Sequence, residues 1–402
     1  MTEPRFRILQ LVPEPLPSFR ADVATLFGKY LPRHAVACDI VGKAGQGEAA
    51  GQGFLSTRRP ARHSRRWRNE LSFAWLCIRS ALTVPKSECD IIQVRDMVSI
   101  GLATLAIARL RGMRFSYWVS FLMSEGRIER ARRELARRFS LHYTLVLWKG
   151  LAERAILYRI VLARADHVFV QSDAMLERMA ARGIPRERMT AVPMGVDTEK
   201  LGAAAISPRR LPGWEGAPVL AYLGTLDSSR HLDKVLDTLA ILRRRYPGAR
   251  LLLIGDSPTP SDVARLREYA AGLGLADAIH ITGWLAADDA LPLLAGADAA
   301  ISYIPRGELF DISSPTKLLE YLALAVPCVG NDTPDQVRVL SASDAGWLTG
   351  STPDEMAEGV AAIFDNPAAA RARAAAGPRF IEENRSYRVL AEQVARRYRA
   401  LS

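Results

Sequence analysis

The chain has 402 residues, more than one ordinary hydrophobic core holds, and we therefore expect two domains. A content of 49% hydrophobic and 24% charged residues is normal for a globular protein. The net charge of +11 is uneven: the first 200 residues hold 33 Lys and Arg against 19 Asp and Glu, and the remainder is slightly acidic. The basic first half indicates an anionic partner there, which is nucleic acid, a phosphate-bearing substrate or an acidic membrane.

Two further features indicate where in the cell the protein is located. No stretch reaches the roughly 20 apolar residues that cross a bilayer, and the apolar run in MTEPRFRILQLVPEP is too short for a signal peptide. The four cysteines lack metal-type spacing and give no reason to expect a disulfide framework. We therefore expect free core thiols in a cytoplasmic protein that is soluble or peripherally attached to a membrane.

Hydrophobic periodicity predicts alternating strands and helices in the first half. Strands are expected at residues 7–12, 35–41, 90–94, 114–120, 166–171 and 190–192, and helices at 21–31, 100–110, 172–182 and most of 127–165. The glycine-rich residues 42–53 lack the lysine of a phosphate-binding loop. Because parallel strands end at a common edge of the sheet, we expect four polar residues to line that edge: Arg95, Asp96, Ser120 and Glu125.

Two basic segments of the first half have open interpretations. Residues 58–68, RRPARHSRRWR, are either a solvated surface or a contact for anions or lipid headgroups. Residues 127–165 begin with a highly charged part and continue with a mixture of apolar side chains and isolated Lys and Arg. For the second part we favour helices packed on the sheet over a membrane surface with Tyr143 and Trp148 at the interface.

Residues 198–216 contain prolines and glycines without periodicity, and we predict the domain boundary there. The predicted domains are 1–205 and 206–385, followed by a C-terminal helix at 386–402 that packs back on the first domain. The second half repeats the alternation, with strands at 219–224, 250–255, 279–283 and 299–304 and helices at 232–244, 261–272 and 288–294. The pattern predicts an α/β fold of two doubly wound parallel-sheet domains.

Residues 301–331, ISYIPRGELFDISSPTKLLEYLALAVPCVGN, predict a strand, a loop, a helix and a further strand. Ser314 is the predicted N-cap of the helix and Pro315 its first residue. Lys317 and Glu320 are three residues apart and share one helix face. The residues alone leave two interpretations open, an exposed salt bridge and a nucleotide diphosphate site in which Arg230 and Lys317 neutralise phosphate and Glu320 binds the ribose.

Four segments together resemble the GT-B glycosyltransferases of the retaining family four group. They are residues 165–201, APVLAYLGTLDSSRHLDKVLDTLAIL, ARLLLIGD with IHITGWLAADDALPLLAGADAAISYIP, and SPTKLLEYLALAVPCVGND, which has an SPxKxxEY-type signature. The resemblance spans nearly the whole chain. It implies two Rossmann-like domains facing a cleft, with the acceptor bound by the first domain and a nucleotide sugar by the second.

By position, the resemblance implies catalytic roles for Arg230 at the donor diphosphate and for Lys317 and Glu320 on the signature helix, with Glu320 as the ribose ligand. It also implies a set of donor-binding residues: Gly224, Thr225, Gly255, Gly283, Trp284, Leu285, Ser313, Ser314, Pro315 and Thr316. Gly283, Trp284 and Leu285 would hold the nucleobase. The co-substrate would be a UDP- or GDP-sugar, with no further cofactor and no obligatory metal.

The chain departs from the family pattern at several positions. The first of two signature glutamates would fall at Ile312, and Asp311 or backbone amides are the expected replacement. Thr225 occupies the position of an arginine, which leaves Arg230 as the cation of that loop. The double glycine of the first loop is absent near Ser18, Phe19 and Arg20, and Ser120 or a neighbour replaces the usual histidine.

The expected function is retaining transfer of a sugar to a lipid-linked or other saccharide acceptor in bacterial surface or exopolysaccharide synthesis. The basic first domain would contact an anionic membrane, on the cytoplasmic face of the inner membrane. Two alternatives remain: another GT-B activity such as a nucleotide-sugar epimerase, and a catalytically silent GT-B subunit that binds a membrane or partner. Nucleic acid is not expected as a partner, because the sequence lacks a recognisable binding motif for it.

Overall fold

The computed structural model describes residues 6–46, 53–202 and 206–401. The chain divides into two compact units, which we call unit 1 (Met1–Met194 with Tyr387–Ser402) and unit 2 (Gly195–Ser386). Both are built on parallel sheets covered by helices, and the predicted α/β fold class is confirmed. Every strand expected in either half is present, and residues 47–52 of the glycine-rich segment lie outside the described ranges.

Unit 1 is organised around a seven-stranded sheet in which all paired strands are parallel. The strands are β1 (Phe6–Leu16), β2 (Val36–Ala44), β3 (Ser56–Arg58), β4 (Ile91–Arg95), β5 (Arg114–Val119), β6 (His167–Val170) and β7 (Met189–Ala191), and their order is β3-β2-β1-β4-β5-β6-β7. All five residues of β4 are buried, because helices cover both faces of the sheet.

The helices that follow these strands are α1 (Ala21–Ala24), α2 (Arg66–Thr83), α3 (Val98–Arg111), α4 (Met123–Arg137), α5 (Leu141–Ile156) and α6 (Asp173–Ala180). The helix expected at 21–31 is instead α1 followed by a π-helical segment at Leu26–Tyr30 and a 3₁₀ turn at Leu31–His34. Helix α2 was not predicted: the sequence pointed only to the basic residues at its start. Helices α4 and α5 pack against each other, with Gly150 of α5 against Ile128 of α4.

Unit 2 contains a six-stranded parallel sheet with the order β10-β9-β8-β11-β12-β13. Its strands are β8 (Val219–Leu223), β9 (Arg250–Ile254), β10 (Ile279–Ile281), β11 (Ala299–Ser302), β12 (Cys328–Asn331) and β13 (Trp347–Thr349). Its helices are α7 (Asp233–Arg245), α8 (Pro260–Gly272), α9 (Ala287–Ala295), α10 (Thr316–Ala323), α11 (Pro334–Ser343), α12 (Pro353–Asp365), α13 (Pro367–Ala374) and α14 (Gly377–Asn384).

The strand order of unit 2 reverses at β8, which lies between β9 and β11. In doubly wound sheets this switch point leaves a crevice at the carboxyl ends of the strands, where ligands bind. The loops after β8, β9, β10 and β11 all begin at that edge. They contain the glycines and the basic residues that the sequence singled out.

Helix α15 (Tyr387–Arg399) returns the chain to unit 1. Leu390, Ala391, Val394, Ala395 and Tyr398 form its buried face, since residues at this spacing lie on one side of a helix. The Tyr398 ring lies 5.5 Å from that of Phe6 and 4.9 Å from that of Phe169. The hydroxyl group of Tyr398 also donates a hydrogen bond to Gln93 Oε1 at 2.5 Å.

The division between the units lies after Met194, earlier in the chain than the sequence-based boundary after residue 205. The reason is local pairing within unit 2: the Val196 amide donates to the Arg385 carbonyl at 3.0 Å, and Val196 forms a parallel bridge with Ser386. Residues 203–205 lie outside the described ranges. The four cysteines are free and buried, as expected.

Candidate functional site

The first three loops at the carboxyl edge of unit 2 are joined through their backbones. The Gly224 amide donates to the Ile254 carbonyl at 3.0 Å, and the Gly255 amide donates to Thr282 Oγ1 at 3.1 Å. Gly255 has a φ of +146°, and a Cβ atom there would lie 2.0 Å from the Gly224 carbonyl oxygen. Only glycine therefore fits at Gly255, and the loops present main chain to whatever binds at this edge.

Lys317 lies in the first turn of α10 and is buried. Its Nζ donates a hydrogen bond to the hydroxyl group of Tyr222 at 2.9 Å and lies 4.4 Å from the centre of the Tyr222 ring. Burial, together with the charge of Arg230, lowers the pKa of Lys317 to about 7, although Glu320 and Asp227 oppose the shift. Burial of Lys317 excludes the interpretation of this pair as an exposed salt bridge.

Glu320 follows one turn later on α10 and is partly buried. Burial raises the pKa of its carboxyl group to about 7, and the charge of Lys317 opposes that rise. Lys317 and Glu320 therefore both change charge near neutral pH. Paired titratable groups with pKa values shifted toward neutrality are typical of functional sites, although structural ion pairs shift them too.

Arg230 ends a short 3₁₀ turn in the loop after β8. Its side chain is 32% exposed, its Nε lies 3.4 Å from Asp227 Oδ2, and its guanidinium lies 5.7 Å from the centre of the Phe310 ring. The contact with Phe310 connects the β8–α7 loop to the β11–α10 loop. Arg230 is also close enough to Lys317 to lower the pKa of the lysine. Unit 2 thus brings together the three residues predicted to be catalytic.

The loop that precedes α10 differs from the prediction. Ser314 does not cap the helix: its hydroxyl group donates to Asp335 Oδ2 at 2.6 Å, and Arg385 binds Asp335 Oδ1 at 2.5 Å. The N-cap residue is Pro315 and the helix begins at Thr316, so the predicted cap was wrong. The reason is tertiary, because a buried carboxylate on α11 competes for the hydroxyl group. Ser313 donates from its side chain to the Phe310 carbonyl at 2.6 Å.

The position of the missing signature glutamate is filled by a buried side chain, that of Ile312. Asp311, the expected replacement, accepts a hydrogen bond from Arg306 Nε at 2.8 Å, and Arg306 also binds Asp332 at 2.6 Å. The carboxylate of Asp311 is therefore engaged in holding its own loop. Backbone amides remain as the other expected replacement.

The segment expected to hold a nucleobase follows β10. Gly283 has a φ of +75°, which favours glycine, and it turns the chain away from the strand. The two side chains that follow are open: Trp284 is 62% exposed and Leu285 is 39% exposed. A large exposed aromatic ring beside a strand end is suited to stacking against a planar ring.

The acceptor-side candidates of unit 1, which are Arg95, Asp96, Ser120 and Glu125, are buried and contact other residues of the same unit. Arg95 is completely buried, and its Nε lies 3.3 Å from Glu14 Oε1 and 3.7 Å from Asp96 Oδ2. Arg95 Nη2 donates to the carboxylate of Asp22, which is also bound by Arg20 at 3.0 Å. Burial alone would raise the pKa of Asp22, but Arg95 and Arg20 hold it at about 2. We call Arg95, Asp96, Glu14, Asp22 and Arg20 the Arg95 cluster.

Asp96 and Ser120 hold two loops of unit 1 together. Asp96 has a φ of +52°, and its carboxylate accepts hydrogen bonds from the Ser120 amide at 2.8 Å, the Ser120 hydroxyl group and the Phe121 amide at 3.3 Å. Burial nevertheless raises the pKa of Asp96. Glu125 is buried as well and accepts a hydrogen bond from Arg182 at 2.7 Å. The four candidates therefore support loops of unit 1, although Nε and Nη1 of Arg95 have no hydrogen-bond partner among the described residues.

A cavity of about 480 Å³ lies beside these loops at the carboxyl ends of β1 and β2. Sequence reasoning missed it, although the unusual Ser18-Phe19-Arg20 segment marked its rim. Phe19 is 96% exposed there, and Arg62 and Arg66 lie on the opposite chain segment. The residues that line the cavity are Pro15, Pro17, Phe19, Lys43, Ala44, Gly45, Gln46, Pro60, Arg62, Arg66, Asn69 and Glu70.

Two helices of unit 1 expose apolar side chains. On α5 these are Leu141, Leu145 and Trp148, each more than 60% exposed. The buried residue of α5, Gly150, lies against Ile128 of α4, so α5 packs mainly on neighbouring helices and not on the sheet as favoured from the sequence. On α2, Trp67, Leu71 and Trp75 recur at intervals of four and form an exposed stripe that the sequence analysis missed. Within the three described ranges, no helix has both the length and the apolar character needed to cross a bilayer.

Comparison with known proteins agrees with this geometry. The family profile described as "Glycosyltransferase Family 4" matches residues 22–200, and the profile "Glycosyl transferases group 1" matches residues 217–366. The first profile covers most of unit 1 and ends at residue 200, shortly after the division at Met194, and the second lies within unit 2. The chain is a nucleotide-sugar glycosyltransferase of the GT-B fold.

Curated relatives of this GT-B glycosyltransferase share moderate identity. The GDP-mannose-dependent alpha-(1-6)-phosphatidylinositol monomannoside mannosyltransferase of Mycobacterium tuberculosis (strain ATCC 25618 / H37Rv) is 26% identical over 283 residues, which is 69% of this chain and 72% of the relative. The mannosylfructose-phosphate synthase of Agrobacterium fabrum is 30% identical over 208 residues, which is 49% of this chain and 43% of the relative.

Solved structures are similar over the full length. A glycosyltransferase from Rickettsia africae has a TM-score of 0.73 at 15% identity, covering 100% of this chain and 99% of its own. Anabaena Alr3699/HepE, solved in complex with UDP and glucose, has a TM-score of 0.72 at 15% identity, covering 98% of this chain and 100% of its own. At this identity the likeness concerns the fold.

Proposed function

We propose that this glycosyltransferase is a retaining enzyme of the SPxKxxEY-type subgroup that moves a hexose from a UDP- or GDP-sugar to a lipid-linked saccharide. The observation that supports the donor side best is the buried Lys317 ammonium, held beside Gly224 at the switch point of the sheet. The curated relative that uses GDP-mannose and the similar structure that binds UDP support the two donor classes. The pathway would be bacterial surface polysaccharide or glycolipid synthesis.

In this proposal unit 2 binds the donor. Arg230, Lys317 and the amides at the start of α10 neutralise the diphosphate, and Glu320 accepts hydrogen bonds from the ribose hydroxyl groups. Trp284 and Leu285 contact the base beside Gly283. The sugar lies against backbone amides of the Ser313–Thr316 segment, where Ile312 replaces the first signature glutamate. The Gly224, Thr225 and Gly255 backbone provides the close approach that a diphosphate needs.

The reaction proposed for this site needs no metal and no side-chain nucleophile. The bond between the anomeric carbon and the diphosphate oxygen breaks, and the acceptor hydroxyl group attacks on the same face. A phosphate oxygen of the departing diphosphate takes the proton of that hydroxyl group. Negative charge builds up on the diphosphate as it leaves, and fixed cations at that position lower the barrier. Lys317 and Arg230 are the cations available there.

The acceptor side of the proposal rests on the cavity of unit 1. Phe19 offers an exposed ring on which a sugar can stack, and Arg62 and Arg66 offer cations for a phosphate group. Arg95, Asp96, Ser120 and Glu125 then support the walls of the acceptor site from beneath. An epimerase would need free acid and base groups in unit 1, and the engagement of Asp96 and Glu125 counts against that alternative.

The proposal predicts that nucleoside diphosphates stabilise the protein against heat. A ligand that binds only the folded state at 100 times its Kd adds about 2.7 kcal/mol to the free energy of unfolding. We expect UDP or GDP, and not both equally, to raise the melting temperature in differential scanning fluorimetry, with ADP as the comparison. A melting temperature unchanged by all three would contradict a donor site and favour the silent subunit. Turnover with a panel of nucleotide sugars would then identify the sugar.

We also propose that unit 1 contacts an anionic membrane surface, on the cytoplasmic face of the inner membrane. Five exposed arginines of α4 and its end, Arg130, Arg132, Arg133, Arg137 and Arg138, precede the exposed apolar side chains of α5. A basic residue near an anionic surface contributes about 1 kcal/mol to binding, and exposed Trp and Leu side chains insert at the interface.

Changing these five arginines to glutamine is therefore expected to release the protein from vesicles that contain phosphatidylglycerol, as measured by flotation. The matched control changes five exposed arginines of unit 2, namely Arg244, Arg245, Arg267, Arg338 and Arg371, and removes the same charge. Equal loss of flotation in both variants would show that net charge alone determines binding. Unchanged flotation of the first variant would show that α4 is not the contact surface.

A further inference from the structure

Tyr222, the fourth residue of β8, is a completely buried tyrosine whose hydroxyl group has two partners. It accepts a hydrogen bond from Lys317 Nζ at 2.9 Å and donates one to the Thr225 carbonyl at 3.4 Å. One side chain thus contacts both the loop after β8 and helix α10. The partners are distant in sequence, because Lys317 follows Tyr222 by 95 residues.

Packing alone does not account for this hydroxyl group. Tyr222 belongs to the hydrophobic core of unit 2, where phenylalanine would fill nearly the same space without a polar group to desolvate. The other tyrosine nearby, Tyr321, uses its hydroxyl group to accept a hydrogen bond from the Leu223 amide at 2.9 Å, which satisfies the backbone. The hydroxyl group of Tyr222 instead accepts from a charged side chain.

The Lys317 side chain is confined on several sides. A Cβ atom built on Gly224 would lie 3.5 Å from Lys317 Cε and 3.6 Å from the Tyr222 hydroxyl oxygen, so the lysine stem lies against the glycine backbone. A lysine has three donors on a flexible four-carbon stem, and its direction is set by what it contacts. Tyr222 engages one donor through its hydroxyl group and contacts the ammonium through its ring, which leaves the remaining donors for a ligand.

We propose that Tyr222 is a positioning residue that fixes the Lys317 ammonium at the carboxyl end of β8, where the donor diphosphate would bind. This inference rests on the proposed function and extends it to a residue with no assigned role. Tyr222 favours the charged lysine twice, through the hydrogen bond and through the ring face. The other groups that act on Lys317 are Arg230 and Asp227 from the β8–α7 loop and Glu320 from α10.

The test compares Tyr222→Phe with the wild type in calorimetric titrations with UDP and GDP at four pH values, about 6, 7, 8 and 9, which lie on both sides of the Lys317 pKa of about 7. A hydrogen bond to a charged group is worth enough to change affinity about tenfold. We expect Tyr222→Phe to bind the preferred nucleotide about tenfold more weakly at pH 8, and its affinity to decline at a lower pH than that of the wild type. The second effect arises because loss of the acceptor lowers the pKa of Lys317.

Tyr246→Phe is the matched control. It removes a hydroxyl group of the same unit that donates to Asp365, at the far end of α7 from Arg230. It is expected to leave affinity and its pH dependence unchanged. In a Lys317→Met background, Tyr222→Phe should have no further effect on affinity, because the group it positions is gone.

Three outcomes would overturn the inference. If Tyr222→Phe keeps the affinity and the pH dependence of the wild type, the inference fails while the proposed function stands. An equal loss of affinity at every pH, accompanied by a lower melting temperature, would also overturn the inference, because it indicates a purely structural role. An equal effect of Tyr222→Phe with and without Lys317 would do the same. If the wild type binds neither nucleotide, the proposed function fails and the inference fails with it.

Discussion

Lys317→Met is expected to reduce sugar transfer about 10²–10³-fold, the usual loss when one preorganised donor to a developing oxyanion is removed. Methionine has a similar length and no charge, so it fits the buried site beside Tyr222 and Gly224. Burial already disfavours the charged form of Lys317, since it lowers the pKa of the ammonium to about 7, so an apolar side chain of similar length should not destabilise the fold. The melting temperature should therefore stay the same or rise while kcat falls, which separates a catalytic defect from misfolding.

The pH profile gives a second measurement on the same variant. Lys317 has a pKa of about 7 in the folded protein, so its charged form is lost as the pH rises above 7, and kcat/KM should then decline by up to tenfold per pH unit. Glu320, with a pKa raised to about 7, is ionised above that pH, so its ribose contact weakens as the pH falls below 7. The wild type should therefore show a bell-shaped kcat/KM profile with a maximum near neutrality.

Each single substitution should remove the decline of kcat/KM on one side of the pH maximum. Lys317→Met is expected to lose the alkaline decline, and Glu320→Gln the acid decline. Glu320→Ala should lose most of the activity and keep the fold. Near wild-type turnover in Lys317→Met or Glu320→Ala would mean that the donor site is misplaced, and an alkaline decline that persists without Lys317 would assign that titration to another group.

Arg95→Met is expected to lower the free energy of unfolding of unit 1 by about 3–5 kcal/mol, the typical cost of removing one partner from a buried ion pair. Arg95 is completely buried and faces the carboxylates of Glu14, Asp22 and Asp96. Without it, three partly or fully buried carboxylates remain, and Arg20 is the nearby cation that the described residues provide. Urea denaturation followed by circular dichroism measures the change.

Arg109→Met is the control for the removal of a salt bridge in the same unit. Arg109 binds Asp166 at 2.9 Å, but both side chains are more than 30% exposed, and such pairs contribute about 0–1 kcal/mol. A loss below 1 kcal/mol in Arg95→Met would show that the Arg95 cluster is not needed for stability.

Asp22 also makes the stability of the wild type depend on acid. The pKa of its carboxyl group is about 2 in the folded protein against an ordinary 3.8, so the stability that Asp22 contributes is fully present above pH 3.8 and is lost as the pH falls through about 2.

The parts of the fold that could be predicted from the sequence depend on local signals. Strand β8, the Gly224 that follows it and the Lys317–Glu320 pair could be predicted from apolar periodicity, from glycines at strand ends and from helical spacing, all of which act over a few residues. Helix α2 was missed because its start is basic and its N-cap, Arg65, makes no side-chain capping hydrogen bond. A cap signal at the sequence level was therefore absent.

The parts that could not be predicted depend on contacts between distant residues. The role of Tyr222 depends on its hydrogen bond with Lys317, and the role of Arg95 depends on its ion pair with Asp22, which precedes it by 73 residues. Arg95 was assigned correctly to a strand end, yet whether such a residue faces a ligand or a carboxylate depends on how the other loops fold over it. Ser314 has the local features of an N-cap, but its hydroxyl group donates a hydrogen bond to a carboxylate on another helix instead.

The return of α15 to unit 1 has a consequence for how the chain folds during synthesis. The pocket formed by Phe6, Trp118 and Phe169 is complete only after residues 387–399 have left the ribosome, which is after all of unit 2 has emerged. Unit 2 is a continuous segment and can reach its native state first, although domains usually fold in order from the amino terminus. The nascent first unit must meanwhile hold exposed aromatic surface, so a stalled or truncated chain is vulnerable to aggregation and chaperone capture at that surface.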